Sequence, residues 1–251
     1  MNVYLDNAAT TPVAPEVVEA MIPVLFHTFG NPSSTHAFGR QAKALLENSR
    51  RSIAQALHCA PSEIIFTSGG TEADNMALHA AVTQLGVKRI ITSAIEHHAV
   101  GHTADAIKDS NGIDVVHLSL DSKGNVDLQE LETYLQDGTP TLVSLMHANN
   151  EIATLLPLAE VAQLCRLYGA YFHSDTVQTM GHYHFDLASL DIDFITCAAH
   201  KFHGPKGIGF LYVNKKTRVN PLIHGGSQER GLRGGTENIA GVVGLAKAME
   251  L

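Results

Sequence analysis

The chain contains no tryptophan, only three cysteines and no long apolar run. Cys59, Cys165 and Cys197 lie far apart and show no C-x-x-C or Cys/His spacing, so we expect neither a disulfide framework nor a zinc site. No apolar run approaches the ~20 residues of a membrane span, and the first residues lack the basic and apolar parts of a signal peptide. These absences predict a cytoplasmic protein that makes no contact with a membrane.

Basic residues are also scarce. Lysine and arginine together number 17 against 25 aspartates and glutamates, which gives a formal net charge of −8 with no basic block. We therefore expect no nucleic-acid partner. Histidines are numerous, at 15. Pairs such as His97–His98 have no third ligand at a recognisable spacing, however, so no metal site is predicted.

The sequence does show a regular alternation of strand and helix patterns after an opening loop. The predicted strands are residues 63–67, 89–93, 113–118, 141–146, 171–174, 191–198 and 209–213. The predicted helices are residues 15–26, 38–57, 72–85, 98–109, 128–136, 158–168 and 238–251. This alternation is typical of an α/β fold with a mainly parallel sheet and helices on both faces. We expect one large domain over residues 1–251, with an N-terminal segment at 1–35.

Two residues at predicted strand ends point to a cofactor. Lys201 follows the apolar strand 191–198, and Asp175 directly follows the strand 171–174. Ligands of α/β sheets bind at the carboxyl ends of the strands, so both side chains are expected at one edge of the sheet. A lysine there can form a Schiff base with an aldehyde, and a carboxylate can keep a pyridine nitrogen protonated, which together predict pyridoxal 5'-phosphate. Taken singly, they would be an ordinary loop lysine and a turn-forming aspartate.

Further residues would complete such a site. Gly70 and Thr71 stand between a strand and a helix, where amides at the helix N-terminus could hold a phosphate and the Thr71 hydroxyl could cap the helix. His97 follows another strand, and its imidazole could stack on the ring and exchange protons near neutral pH. Gln178 could reach the phenolic oxygen of the ring, and Asn150 could bond the ring or the substrate. Without a cofactor, Gly70 and Thr71 would be an ordinary turn, His97 a solvated histidine, and Gln178 and Asn150 ordinary loop amides.

Six motifs occur in a fixed order along nearly the whole chain. They are YLDNAATTP (4–12), GNPSS (30–34), TSGGTE (67–72), HANNE (147–151), HKFHGPKG (200–207) and GGSQERGLRGGTEN (225–238). Together they resemble the cysteine desulfurases of the NifS/IscS type, in the class V aminotransferase family. So many ordered motifs make a chance match very unlikely.

The resemblance implies a homodimer with the large domain of fold type I of the pyridoxal-phosphate enzymes. Its activity would remove sulfur from L-cysteine, giving L-alanine and an enzyme-bound persulfide for sulfur-acceptor or scaffold proteins, as in iron–sulfur cluster assembly. Lys201 and His97 would be the catalytic residues, the first bearing the cofactor and the second stacking on it. The other contacts implied by the resemblance are Asp175 to the ring nitrogen, Gln178 to the phenolic oxygen, Thr71 and His200 to the phosphate, and Thr236 to the phosphate of the partner subunit's cofactor.

Two departures from the family pattern stand out. Ala198 occupies a position where many relatives have a serine that bonds the phosphate. The family's nucleophilic cysteine lies in a smaller C-terminal domain, which also supplies an arginine for the substrate carboxylate, and neither has a counterpart here. Cys197 falls in a predicted buried strand, and Cys59 and Cys165 fall on predicted helices, so none has the setting of a reactive thiolate. We therefore expect the C-terminal small domain to be absent and the 251-residue chain to be inactive.

Two other functions remain compatible with the sequence. One is a different class V lyase, similar to a selenocysteine lyase, which would share the cofactor site. The other is a scaffold protein that binds pyridoxal phosphate without catalysis.

Overall fold

Seven strands form one mixed sheet in a computed structural model that describes all 251 residues. The strands are β1 (Ile64–Thr67), β2 (Arg89–Ser93), β3 (Asp114–Leu118), β4 (Thr141–Ser144), β5 (Tyr171–Asp175), β6 (Phe194–Ala198) and β7 (Gly209–Val213). Their order in the sheet is β1-β7-β6-β5-β4-β2-β3. The strands from β6 to β3 are parallel, whereas β7 is antiparallel to both of its neighbours. The predicted α/β fold with a mainly parallel sheet is confirmed.

The direction of β7 follows from its short connection to β6. A parallel connection needs a crossover of a dozen or more residues, usually a helix. Residues 199–208 form only a 3-10 turn at Ala199–Lys201 and a glycine-containing loop. The chain therefore turns back beside β6, with Cys197 opposite Phe210. Lys201 is left at the carboxyl end of β6.

Seven α-helices cover both faces of the sheet, as predicted. They are α1 (Pro15–His27), α2 (Ala37–Ala56), α3 (Gly70–Thr83), α4 (His98–Asn111), α5 (Leu128–Leu135), α6 (Leu158–Tyr168) and α7 (Ile239–Glu250). α3 and α4 enclose a core of 16 buried residues on one face, including Ile65 and Ile90. The other helices enclose 38 buried residues on the opposite face, including Phe172 and Phe210. None of the helices combines the length and the apolar character that crossing a membrane requires.

Some element ends differ from the predicted bounds. α3 begins at Gly70, two residues before the predicted start. β6 begins three residues later than predicted, directly after Asp193, whose carboxylate accepts a hydrogen bond from the Phe172 amide at 2.9 Å. The placement of Cys59 on a helix is wrong. α2 ends at Ala56, and His58, with a φ of 54°, turns the chain before the cysteine.

The N-terminal segment crosses the sheet at the carboxyl end of β6. The amide and the hydroxyl of Thr11 both donate to the His200 carbonyl, each at 2.9 Å. The amide of Ala14 donates to the His203 carbonyl at 3.0 Å. These bonds bring the carbonyl groups of Ala8 and Ala9 to the Lys201 ammonium group. The opening loop thus forms one wall of the space around this lysine.

Candidate active site

A cavity of about 460 Å³ opens at the carboxyl ends of β5 and β6. Eight of the nine predicted site residues line it, and they come from separate parts of the chain. They are Gly70, Thr71, His97, Asn150, Asp175, Gln178, His200 and Lys201. The fold therefore assembles in one place residues that the sequence distributes over more than 130 positions.

Lys201 is half-buried at the edge of this cavity. Its Nζ donates to the carbonyl oxygens of Ala8 and Ala9, the second at 3.0 Å. Burial lowers the pKa of Lys201, and this effect outweighs the opposite influence of the Asp175 and Asp6 carboxylates. A lowered pKa increases the neutral fraction of the amine, which is the nucleophilic form.

Asp175 is the last residue of β5 and pairs with Thr196 of the neighbouring β6. Its Oδ1 accepts a hydrogen bond from the Val177 amide at 2.8 Å. Burial raises the pKa of Asp175 to about 7, and the nearby Asp74 carboxylate contributes to this rise. The side chain is only 5 % exposed, so a cation bound in the cavity would be the group that compensates its charge.

The start of α3 forms another wall of the cavity. The first amides of a helix have no intrahelical acceptor, so those of Gly70 and Thr71 are free to bind an anion. Thr71 does not cap the helix as predicted, since the N-cap position is Gly69 and no side chain caps it. Instead Glu72 reaches back, accepting from the Ser68 amide at 2.9 Å. A Cβ on Gly70 would lie 2.7 Å from the Val177 side chain, so this approach requires glycine.

The remaining predicted residues around the cavity are held by hydrogen bonds, two of them to the opening loop. Asn150 donates to the carboxylate of its neighbour Glu151 at 2.6 Å. His97 is the N-cap of α4, and its Nδ1 accepts from the Ala99 amide at 3.1 Å. The Gln178 amide donates to the Ala8 carbonyl at 3.0 Å. His200 Nδ1 lies 3.1 Å from the Thr10 hydroxyl. These contacts hold the side chains in place at the cavity, outside the hydrophobic core.

Thr236 does not reach this cavity. It lines a second one of about 160 Å³, together with Ser68, Gly207 and Arg233. The Arg233 guanidinium donates two hydrogen bonds to the Glu72 carboxylate, at 2.8 and 3.0 Å. These bonds connect the segment that carries Thr236 to the start of α3.

Sequence reasoning missed Asp74, which also lines the main cavity. Helical periodicity could have predicted its position. Asp74 follows Gly70 by four residues and Thr71 by three, so it lies on the same face of the helix. Donor atoms of Asp74, His97 and Asp175 lie within 4.8 Å of one another. Burial raises the pKa of both carboxyl groups to about 7.

None of the three cysteines is a reactive thiolate. Cys197 is fully buried in β6, and burial raises the pKa of its thiol well above the usual range. Burial likewise raises the pKa of Cys165, which faces the core from α6. Cys59 is partly exposed, but burial and the nearby Glu63 carboxylate raise its pKa to about 12.

The fold and the cavity beside Lys201 define an α/β protein with a site for a small molecule, and comparison with known proteins gives the family. Residues 3–251 match the aminotransferase class-V family, so the chain belongs to that family, whose members use pyridoxal phosphate. It is 49% identical over 251 residues to a cysteine desulfurase IscS of Dictyoglomus turgidum, covering 99% of this chain and 63% of that protein. It is 47% identical over 251 residues to the corresponding protein of Methanosarcina thermophila, covering 99% of this chain and 62% of the relative.

Solved structures show the same fold. A NifS-like protein superposes with a TM-score of 0.95 at 43% identity, covering 100% of this chain and 69% of the other. A structure of SspA in complex with cysteine superposes with a TM-score of 0.93 at 38% identity, covering 99% of this chain and 72% of the other. The chain thus spans about 63% of the length of the curated relative that it matches at 49% identity.

The cavity fits pyridoxal phosphate in size and chemistry. Its volume of about 460 Å³ lies in the range of small-molecule sites, roughly 300–1,000 Å³. The α3 N-terminus offers amides for a phosphate, and it begins at a glycine where an added Cβ would meet the Val177 side chain at 2.7 Å. Lys201 offers an amine. Asp175 offers a buried carboxyl group that forms no ion pair with an equally buried cation. These are the groups that an aldehyde on a pyridine ring requires.

Proposed function

We propose that the chain is the cofactor-binding large domain of a pyridoxal-phosphate-dependent cysteine desulfurase. The observation that carries this proposal is the placement of Lys201 and Asp175 at adjacent strand ends around one cavity. The kinship with proteins named cysteine desulfurase supports the choice of L-cysteine as substrate, with L-alanine and a persulfide as products.

Each side chain of the cavity has a role in this proposal. When bound, pyridoxal phosphate supplies an aldehyde that condenses with amines and a protonated ring that takes up an electron pair. Lys201 provides the amine that holds it, and the Asp175 carboxylate retains the proton on the ring nitrogen. The Gly70 and Thr71 amides, with His200, bind the phosphate. His97 covers the ring and moves protons near it.

The proposal extends to the residues that lie farther from the lysine. Gln178 bonds the phenolic oxygen of the ring, and Asn150 bonds the ring or the substrate. Thr236 binds the phosphate of the cofactor in the partner subunit of a homodimer. The location of Thr236 in a second cavity supports this last assignment, because it lies apart from the residues around Lys201.

A homodimer is further supported by apolar side chains exposed near the N-terminus. Val3, Leu25, Phe26 and Phe29 are each at least 66% exposed. Exposed apolar groups concentrated in one region mark interaction surfaces. We propose that the whole enzyme acts in the cytoplasm and passes sulfur to acceptor or scaffold proteins, as in iron–sulfur cluster assembly.

Covalent trapping tests the cofactor site. The chain is saturated with pyridoxal phosphate, reduced with borohydride and digested, and the peptides are mapped by mass. We expect the phosphopyridoxyl mass on Lys201 alone, and its loss in Lys201→Ala. Lys43→Ala, which replaces an exposed lysine of α2, serves as the matched control and keeps the label. A label on another lysine of the folded chain, or no label at all, would refute the assignment.

A chimera tests the activity. The chain is joined after Leu251 to the remaining C-terminal residues of the Dictyoglomus turgidum relative, and L-cysteine consumption is followed. We expect alanine and sulfide in equal amounts in the presence of a thiol reductant, and neither product from the Lys201→Ala chimera. A chimera that carries the cofactor on Lys201 but gives no sulfide would refute the desulfurase function and leave the cofactor site in place.

A further inference from the structure

Asp74 is a fully buried acid to which the proposed function gives no role. It lies on the face of α3 that packs against the sheet and is 1 % exposed. Its Oδ1 atom has no hydrogen-bond partner, which is costly for a buried polar atom. The same side chain lines the cavity that holds Lys201. A buried carboxyl with one unsatisfied oxygen at the wall of a cofactor site requires an explanation.

Asp74 belongs to a buried cluster with two residues of β5. Its Oδ1 lies 3.4 Å from Nε2 of His173, which is completely buried. His173 and Asp175 are two residues apart on one strand and so point to the same face of the sheet. Nδ1 of the imidazole lies 2.8 Å from the Ser144 hydroxyl and Nε2 lies 3.1 Å from the Thr196 hydroxyl. Burial lowers the pKa of His173 to about 4, so the ring is neutral near pH 7.

The two carboxyl groups of this cluster compete for one negative charge. Burial raises the pKa of both Asp74 and Asp175 to about 7, and the charge of Asp74 adds to the rise at Asp175. Carboxylates that share a buried site do not both ionise readily, and one of them retains its proton. The nearest other groups are His97 and Glu96 at the start of α4 and Lys201 beyond β6.

The surroundings favour Asp175 as the ionised member of the pair. Oδ1 of Asp175 accepts the Val177 amide at 2.8 Å, which stabilises the charged form. Oδ1 of Asp74 accepts nothing, and the charged form of that side chain is stabilised only by the Thr196 hydroxyl, which His173 Nε2 also approaches at 3.1 Å. Lys201 and His97 also favour the charge on Asp175. Glu96 acts against a charge on either aspartate, and burial raises the pKa of Glu96 itself to about 8.

We propose that Asp74 is a positioning residue of the cofactor site, which keeps a proton so that Asp175 can carry the single negative charge of the cluster. The proton and the charge are exchanged only between the two carboxyl groups and solvent, so no other reactant is needed. This inference rests on the proposed cofactor site, because it explains how Asp175 is available as a carboxylate for a ring cation.

Side-chain NMR of the aspartates tests the proposal directly. The chain is labelled with ¹³C in the aspartate carboxyl groups only, which leaves Glu96 invisible, and titrated from about pH 4 to about pH 9 without cofactor. Asp74→Asn and Asp175→Asn identify the two signals by their loss. Asp105→Asn, at an exposed position of α4, is the matched control.

We expect each of the two signals to titrate well above the ordinary aspartate range. In Asp74→Asn the midpoint of Asp175 falls by about one pH unit or more, because a competing charge is removed. Asp175→Asn lowers the titration midpoint of Asp74 in the same way. This second variant tests the coupling if Asp74→Asn does not fold. Asp105→Asn shifts neither. Independent titration of the two groups, with no mutual shift, would overturn the proposal.

Addition of pyridoxal phosphate then tests which acid carries the charge. At about pH 6 we expect Asp175 to be ionised and Asp74 to be protonated, since the ring cation pairs with one carboxylate. Ionisation of both, or of Asp74 alone, would refute the assignment. A chimera that makes no sulfide while these titrations behave as expected would refute the desulfurase function and leave the role of Asp74 standing.

Discussion

Burial determines the protonation of the side chains around the cavity more than their sequence neighbours do. Lys201 and Asp175 are both moved toward neutrality by desolvation, which is partly offset at Lys201 by the charge of Asp175 and at Asp175 by the hydrogen bond from the Val177 amide. Glu96 shows the same effect without an evident partner. Its Oε2 has no hydrogen-bond partner, its Oε1 accepts the Ser93 hydroxyl at 2.8 Å, and burial raises the pKa of the side chain to about 8.

A substitution at Glu96 is therefore expected to change how stability depends on pH. In the unfolded chain a glutamate loses its proton near pH ~4.3, whereas in the folded chain Glu96 keeps it to about pH 8. The folded state thus loses stability as pH rises through this window. Glu96→Gln removes that loss, so its free energy of unfolding relative to the unmutated chain should rise by about 1–3 kcal/mol between pH ~5 and pH ~9.

Urea unfolding at the two pH values measures this difference. Glu19→Gln, which replaces an exposed glutamate of α1, provides the control and should show no such change. If Glu96→Gln alters stability by the same amount at both pH values, its carboxyl group is not the source of the dependence.

Residue types at strand ends made much of the site predictable. Lys201, Asp175 and His97 follow apolar strands, and parallel strands place their ends along one edge of the sheet. Asp74 could not be identified in this way, because its chemistry depends on which strands α3 packs against. An aspartate near the start of a helix is otherwise an ordinary favourable charge.

At the scale of the element, the N-terminus of α3 combines close packing with free amides. A Cβ on Gly70 would meet Val177 at 2.7 Å, whereas a Cβ on Gly101, inside α4, would meet nothing within 4 Å. Gly70→Ala should therefore cost about 1–3 kcal/mol of stability and weaken pyridoxal phosphate binding, because the helix start must shift.

Gly101→Ala should leave stability unchanged or raise it by up to ~1 kcal/mol, through helix propensity. Thermal unfolding and cofactor titration of both variants make the comparison, and Gly70→Ala combined with Val177→Ala should recover part of the loss. Equal effects of the two glycine substitutions would show that the contact with Val177 is unimportant.

The ion pair between Glu72 and Arg233 connects α3 to the segment 225–238. Arg233 makes two hydrogen bonds to Glu72, and the two side chains are 21% and 10% exposed. Lysine cannot form both bonds, so Arg233→Lys should reduce the free energy of unfolding by about 1 kcal/mol. Arg166, whose side chain is 67% exposed in its pair with Asp191, offers the matched control.

Arg166→Lys should cost less than about 0.5 kcal/mol, because exposed pairs contribute little. Urea unfolding of both variants at low and high salt makes the test. A loss at Arg233 no larger than that at Arg166 would contradict a structural role for the connection between α3 and the Thr236 segment.

At the scale of the whole molecule, the sheet and its two cores decide the state of the thiols. The three cysteines come from a turn, a helix and a strand, yet each thiol is kept protonated by burial. We therefore expect the 251-residue chain, loaded with pyridoxal phosphate, to form neither a persulfide nor sulfide from L-cysteine.

Alanine, sulfide and cysteine-bound sulfur are measured after incubation with L-cysteine, with alkylation in urea to confirm that all three thiols are intact. Cys197→Ser should behave as the unmutated chain does. Turnover that disappears in Cys197→Ser, or a persulfide on any of the three cysteines of the folded chain, would contradict this expectation.

By itself, the sequence determined the class of fold and eight residues that line the cavity, because hydrophobic periodicity and strand-end position are local properties. Only the tertiary structure decided three further features. Thr11 bonds the His200 carbonyl across 189 positions and brings the opening loop over Lys201. β7 turns back antiparallel to β6. Asp74 meets His173 and so forms a cluster with Asp175. Each depends on which distant surfaces pack together, and burial then sets the charge of the groups that meet there.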